Sequence, residues 1–475
     1  MFFFDIPAGL QALLNSVWIP LNILLITGLL VIGYLTYRRP ALGIAGIALV
    51  LPLYFVRTKF SFFPTTYLEL TILTIAAIYL ASIATSRMKR TPLPPDPLRL
   101  PITLLLGAGT LALWWSPDLQ AAVGLWRAYL IEPILVYAIA RRVLITHTDG
   151  QRVVKALGMS AAVLTLVALW QWMTGIGIAE PQWVAWPTRR VTAWYTSPNA
   201  VGLYLGPIIA LLAGTALDRN NSRKARWLMT AVVIAALFAV AATKSAGTWL
   251  GLAAAVGIIG WFTPLEIMPR GSATGLPLKT VPTKFPAPSK FLTGLTLGRW
   301  RTIIIAGVAS ISLLLVPGVR TRVAAEFRDP GGQNRISLWR GTTAYLLSTP
   351  ANFFRGGGIH GFSIIHETFR NPRREEPLIY PHQIVLNFWI EYGFFGLLAM
   401  TWIALSTARR SAKTLRKNFN GIQLGALAGL GAMFVHGLVD VPYFKNDLAV
   451  LVWVFIFLAL QKPSPLPTAT DKKIT

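Results

Sequence analysis

The 475-residue sequence has no cysteine. Disulfides, thiolate metal sites and cysteine nucleophiles are thereby excluded. Charge is scarce as well: 13% of residues are Asp, Glu, Lys or Arg, about half the share usual in soluble domains. Acids are the scarcer sign, 18 against 44 basic residues. No HExxH or DxD spacing occurs, and no carboxylate cluster falls in a loop expected on the outer side. That argues against a divalent-metal mechanism. What is abundant is apolar: 54% of residues are hydrophobic, in runs that predict an all-α polytopic membrane protein. The opening MFFFDIPAGLQ lacks a basic region and runs on without an A-x-A site, so a retained span is expected there, not a cleaved signal.

Hydropathy predicts about 12–13 transmembrane helices, near residues 18–36, 41–56, 66–85, 101–115, 121–140, 153–173, 197–217, 227–243, 246–262, 302–316, 383–407, 421–437 and 447–461. If the spans alternate, 28 of the 44 basic residues fall on one side, which the positive-inside rule makes cytoplasmic. Topology therefore accounts for most of the net charge of +26, and no nucleic-acid partner is needed to explain it. Four regions follow. Residues 1–316 form the first part of the bundle, with a basic cytoplasmic loop at 263–301. Residues 317–381 form a large, partly helical external loop, 382–462 the last helices, and 463–475 a disordered tail.

The external loop runs against the charge rule. Between Pro317 and Pro381 it holds nine arginines and no lysine, with only five acids. Internal salt bridges cannot neutralise all nine. Planar, permanently charged forks suit phosphate or carboxylate, although lipid headgroups would use the same chemistry. Residues 334–348 read as a helix with Asn334 as its cap and Ile336, Trp339 and Thr343 on one face. Arg335 would then stand in the first turn, where the helix dipole gives a cation nothing, so it fits a ligand better than the helix. Thr349–Pro350 should end that helix, and the amides of Arg355–Gly358 are then open to an anion.

His382 follows Pro381 at the lip of the next span, placed to exchange a proton near neutral pH. A lone histidine is more often a packing residue. Glu391, nine residues on, is expected on a different face, and Gly393 and Gly396 should allow close helix packing. His360 and His366 read as loop residues. Upstream, Trp183, Trp186, Trp194 and Tyr195 suit a membrane belt or a sugar platform. Arg189 and Arg190 lie beside them, and Asn199 is expected to cap the next span. Lys244 and Ser245 come to the outer face between two spans, while His436 and Asp440 stand one helical turn apart near that face. A contact within the bundle explains that last pair as readily as a site does. Arg127 and Glu132, five apart in one span, are not expected side by side.

The order RVTAWYTSPN, TKSAGTWLG, RISLW…P…GGGIHGF, PHQIVLNFWIEYGFFGLL and HGLVD resembles the bacterial O-antigen ligase / O-antigen polymerase family, over roughly Trp170 to Leu460. Its most specific parts are Arg335 and Trp339 ahead of the glycine turn, and His382–Gln383 opening a span that ends E-x-G-x-x-G. The resemblance implies a GT-C-like membrane glycosyltransferase in the bacterial inner membrane, with its site on the periplasmic face. It would move a glycan from an undecaprenyl-diphosphate carrier to an acceptor hydroxyl without metal or cofactor. The acceptor is the lipid A core or another surface glycan in ligases, and the next lipid-linked repeat in polymerases.

Carried over by position, His382 matches a general base and Arg335 a ligand of the donor diphosphate. Arg190, Lys244 and Arg340 join Arg335 as diphosphate candidates by placement on the outer face. Gln383, Ser245, Asn199, His436 and Asp440 are supporting candidates. One departure stands out: Ser245-Ala246-Gly247 occupies a place where the family often has Ser-Arg-Gly, leaving Lys244 to supply the charge without an arginine's fork. Two other classes of function compete. A lipid-linked oligosaccharide transporter would predict internal repeats and mid-membrane charge, and the sequence shows no clear repeat. A scaffold with a dead site would fit the altered Ser-Ala-Gly motif.

Overall fold

The structure is a computed structural model describing residues 3–4, 18–60, 63–86, 95–178, 180–263, 330–370 and 377–461. It is an all-α polytopic membrane protein. In chain order its apolar helices are α1 (Trp18–Arg38), α2 (Pro40–Val50), α3 (Tyr67–Ala84), α4 (Arg99–Ala112), α5 (Leu119–Trp126) continued as α6 (Glu132–Val143), α7 (His147–Thr174), α8 (Pro198–Ala216), α9 (Arg223–Thr243) and α10 (Ala246–Phe262). Beyond the helices α11 (Pro330–Ser348), α12 (Pro350–Arg355) and α13 (Phe362–Glu367) come α14 (Ile384–Leu415), α15 (Gly421–His436) and α16 (Asn446–Leu460). Seven of these spans are long and apolar enough to cross a membrane, and five shorter apolar helices accompany them. The predicted span 302–316, nearly all of the basic loop 263–301, the start of the arginine-rich loop and the tail 463–475 lie outside the described residues.

One element has no counterpart in the hydropathy pattern. β1 (Phe3–Phe4), β2 (Val56–Phe60) and β3 (Phe63–Thr66) form an antiparallel sheet in the order β1–β2–β3. The predicted span 41–56 is therefore shorter than expected, ending at Val50 and a 3-10 turn over Leu51–Leu53 before the chain turns into β2. Thr66 closes the sheet and starts α3 through a capping box with Glu69.

The bundle packs on small residues. Gly421, Gly425 and Gly429 form a stripe on α15 at one-turn spacing, and a Cβ on Gly425 would lie 2.4 Å from the Leu211 carbonyl oxygen of α8. Across the same seam a Cβ on Gly214 would meet the Gly425 Cα at 2.5 Å. Lipid supplies no hydrophobic drive between helices, so this backbone-to-backbone approach is what holds α8 and α15 together. Asp218 adds a polar latch by accepting from the Gly421 amide at 2.9 Å.

Four expectations need correction. Arg127 and Glu132 are partners, with Arg127 Nε 3.2 Å from Glu132 Oε1. The reason is a π-helical turn over Arg127–Ile131, whose i→i+5 bonding brings together residues five apart. Second, α11 begins at Pro330, so Asn334 is not its cap and Arg335 is not in its first turn. The dipole argument for Arg335 falls with that. Its buried face is Leu338, Thr342 and Leu346, rotated from the expected one, although Trp339 still packs on it. Third, Ser197 rather than Asn199 caps α8, accepting from the Asn199 amide. Fourth, two of the glycine-turn amides are already taken: Gly357 N donates to Ile390 O at 2.7 Å and Gly356 N to Asn352 O at 2.9 Å.

Candidate active site

The segment between α7 and α8 is strapped to the end of α9. Val191 N donates to Ala242 O at 3.2 Å, and Arg190 Nε donates to Thr243 O at 2.8 Å. A guanidinium at a helix C-terminus meets unsatisfied carbonyls and the negative end of the dipole. Lys244 caps the same helix in the left-handed conformation, φ 54°, and its Nζ donates to Pro187 O at 2.6 Å. Arg189 pins the segment from the other side through the Val184 and Trp172 carbonyls, with its guanidinium over Trp186.

From Arg190 a chain of contacts leads to His382. Arg190 NH2 donates to Asn199 Oδ1 at 3.3 Å, and Asn199 Nδ2 donates to Asp440 Oδ2 at 3.4 Å. Asp440 Oδ1 accepts from the Val441 amide at 2.8 Å and faces His382 Nδ1 at 3.3 Å. Burial works against the Asp440 charge. The hydrogen bond and charge of His382, with the charges of His436 and Lys445, outweigh it and hold the carboxyl well below the usual carboxylate range. An ionised carboxylate only accepts, so Nδ1 is the donor of this pair, and in the neutral imidazole Nε2 is the nitrogen left with a lone pair. The His382 side chain is 23% exposed and that of Asp440 8%: one is open to a reactant, the other sheltered behind it.

The supports of His382 come from three directions. It sits at φ 49°, a conformation uncommon outside glycine that needs its surroundings to hold it. The Tyr380 ring meets its imidazole edge-on at 4.9 Å. Trp339 Nε1 donates to Pro381 O at 3.0 Å, which ties α11 to the residue before the histidine. Arg335 lies one turn from Trp339 on the same face of that helix. On the far side Ile384 N donates to Gly437 O at 2.7 Å, joining the start of α14 to the loop that carries Asp440.

The remaining candidates sort themselves by place. His436 is buried as the last residue of α15, and a Cβ on Gly247 would come 2.4 Å from its Cδ2. The Ser-Ala-Gly motif is thus packed against the imidazole next to Asp440. Ser245 Oγ accepts from Thr248 Oγ1 at 3.0 Å inside α10. Gln383 is the cap of α14, its side chain accepting from Leu386 N at 2.6 Å. Arg340 is exposed and lines a separate hollow of about 490 Å³ with Ile336 and Phe369, which takes in neither His382 nor Asp440.

Sequence reasoning passed over Lys445. Burial opposes its charge, but Tyr54, Tyr380, Asp447 and Asp440 outweigh that and hold the ammonium above the ordinary lysine range. It is a second positive charge acting on Asp440, besides the histidines. A lysine five residues after Asp440 in a loop between two apolar helices was the available signal.

Comparison with known proteins bears on this geometry. No curated protein matches the chain. Residues 230–401 match the family described as O-antigen ligase. The matched stretch takes in Lys244–Gly247, Arg335, the glycine turn and His382.

Proposed function

We propose that the protein transfers a glycan from a lipid diphosphate carrier to an acceptor hydroxyl, with His382 as general base and arginines receiving the leaving diphosphate. The family match supports a transferase of the lipid-linked glycan ligase or polymerase type. The observation that carries the finer reading is the His382–Asp440 pair, with Nδ1 facing the carboxylate at 3.3 Å. A glycosyl diphosphate is already activated. Catalysis then needs a base on the acceptor and stabilisation of charge on the leaving group. His382 Nε2 takes the acceptor proton as the acceptor oxygen bonds to the anomeric carbon. The bond from that carbon to the diphosphate oxygen breaks, and the carrier diphosphate leaves with the electron pair.

Arg335 is the first candidate for that diphosphate, and Arg190 and Lys244 border the same face through the strap on α9. The ligase reading, with a lipid A core or other surface glycan as acceptor, leads; a polymerase would use a second lipid-linked repeat. The test is release of undecaprenyl diphosphate by purified protein in EDTA, with each acceptor, in wild type, His382→Ala and Arg335→Ala. Turnover by wild type that both variants lose supports the reading, and the acceptor that permits it decides ligase against polymerase. Full turnover in His382→Ala would refute the assigned base.

A further inference from the structure

Tyr380, which packs against His382, also lines a cavity of about 1100 Å³, a little above the usual size range for ligand pockets. Its walls come from β2 and β3, the start of α5, the π turn, the glycine-turn segment at His360 and the outer end of α14. Tyr380, one of the wall residues, meets the His382 imidazole edge-on with ring centroids 4.9 Å apart. The reacting histidine and the cavity are therefore one aromatic ring apart.

The lining does not suit a second diphosphate. Arg57 and Arg127 share the lining with Asp118 and Glu391, two basic residues to two acidic ones. Arg127 is also held inside the bundle by Glu69 Oε2 at 2.8 Å and by Glu132, so its charge is already answered. Asp118 caps α5 by accepting from Ala121 N at 3.0 Å, and Glu391 accepts from the His360 amide at 2.8 Å. Apart from Arg57 and His360, the polar groups left on offer are uncharged: the amides of Gln120 and Asn387, with the rings of Tyr129 and Tyr380.

Asn387 points to a ligand independently of the cavity's shape. It is 1% exposed, yet its Oδ1 has no hydrogen-bond partner among the described residues. A buried amide oxygen left unpaired is costly, and ligand hydroxyls would satisfy it. Amides beside aromatic rings in a charge-balanced cavity match a polyhydroxylated, uncharged ligand. We propose that this cavity is a glycan subsite, binding the sugar rings that flank the reacting bond, with Asn387 and Gln120 as its polar anchors. This rests on the glycosyl-transfer reading. The sugars come either from the lipid-linked donor or from the acceptor.

The experiment uses full-length protein in nanodiscs and two diphosphate-free probes: oligosaccharide released from the carrier lipid, and core oligosaccharide released from lipid A. Binding is measured by titration calorimetry to wild type, Asn387→Ala and Gln120→Ala. The expected result is that one probe binds wild type and each variant weakens it about tenfold. In turnover, KM for the matching substrate should rise by a similar factor with kcat little changed. The probe that binds identifies the source. Gln120 is exposed, so its variant keeps the test valid if Asn387→Ala unfolds. If neither probe binds, or neither variant weakens binding, the subsite is refuted. Transfer with an unchanged KM in both variants would sink the cavity and leave the transfer reading standing. Glycan binding lost in the variants, without transfer to any acceptor, would do the reverse.

Discussion

Asp440 sets what His382 can do. With Nδ1 held on the carboxylate, the imidazole is oriented and Nε2 is the atom free to take a proton. Asp440→Asn replaces an acceptor-only group by one that can also donate, so the tautomer is no longer fixed. We predict a fall in kcat of about 10²-fold or more, within the range general-base catalysis supplies, with KM little changed. Undecaprenyl diphosphate release checks it, and undiminished turnover would show that the pair has no role in catalysis. The depressed pKa of Asp440 also implies a stability term with a definite sign. It is present above the ordinary aspartate value of about 4 and is lost as pH falls toward the folded value. The melting-temperature margin of wild type over Asp440→Asn should therefore narrow as the buffer is taken below about pH 4. At this scale the sequence was only half legible. Pro381–His382 at a span's lip and the polar cluster in HGLVD could both be seen. Their pairing across 58 residues depends on how α14 and α15 meet, which no local pattern encodes.

Among the elements, spans read well where hydropathy alone decides them. They read poorly where backbone geometry does. The π turn is one such case: it converts a five-residue spacing into an ion pair that residue periodicity says should not exist. Replacing Arg127 by methionine would leave Glu69 and Glu132 facing each other without their shared cation. We expect a loss of about 3–5 kcal/mol, partly restored by adding Glu132→Gln, read from thermal unfolding in detergent. The meeting of α12 with α14 is a second case. Gly393 adopts φ 69° inside α14, and a Cβ there would lie 2.3 Å from the Phe354 carbonyl oxygen. Close packing was the expected role of Gly393, but the sequence does not show that it breaks the helix to accept α12. Gly393→Ala meets both an unfavourable backbone region and a clash, so a cost of about 1–3 kcal/mol is expected. Gly396→Ala is the comparison. Its Cβ would meet chiefly the Tyr392 side chain one turn away, and a variant equal in cost to Gly393→Ala would count against the kink as the cause.

For the whole molecule, the sidedness of the bundle ties the chemistry to a compartment. If the basic loops face the cytoplasm, as the positive-inside rule expects, the opposite face carries the strap on α9, helices α11–α13 and the His382 site. The absence of cysteine makes this directly measurable, because any introduced thiol is the only one in the chain. Gln182 and Asn220 are both exposed. Gln182 lies in the segment between α7 and α8, and Asn220 in the basic loop between α8 and α9, beyond opposite ends of α8. In cells with a permeabilised outer barrier, a membrane-impermeant maleimide should label Gln182→Cys at once and Asn220→Cys only after lysis. The two positions sit on either side of α8, the helix that carries Asn199 at one end and Asp218 at the other, so their labelling also orients the contact chain from Arg190 to His382. Labelling in the reverse order would put His382 on the cytoplasmic side, where a surface glycan acceptor is out of reach, and the transfer reading would have to be abandoned even with the His382–Asp440 geometry intact.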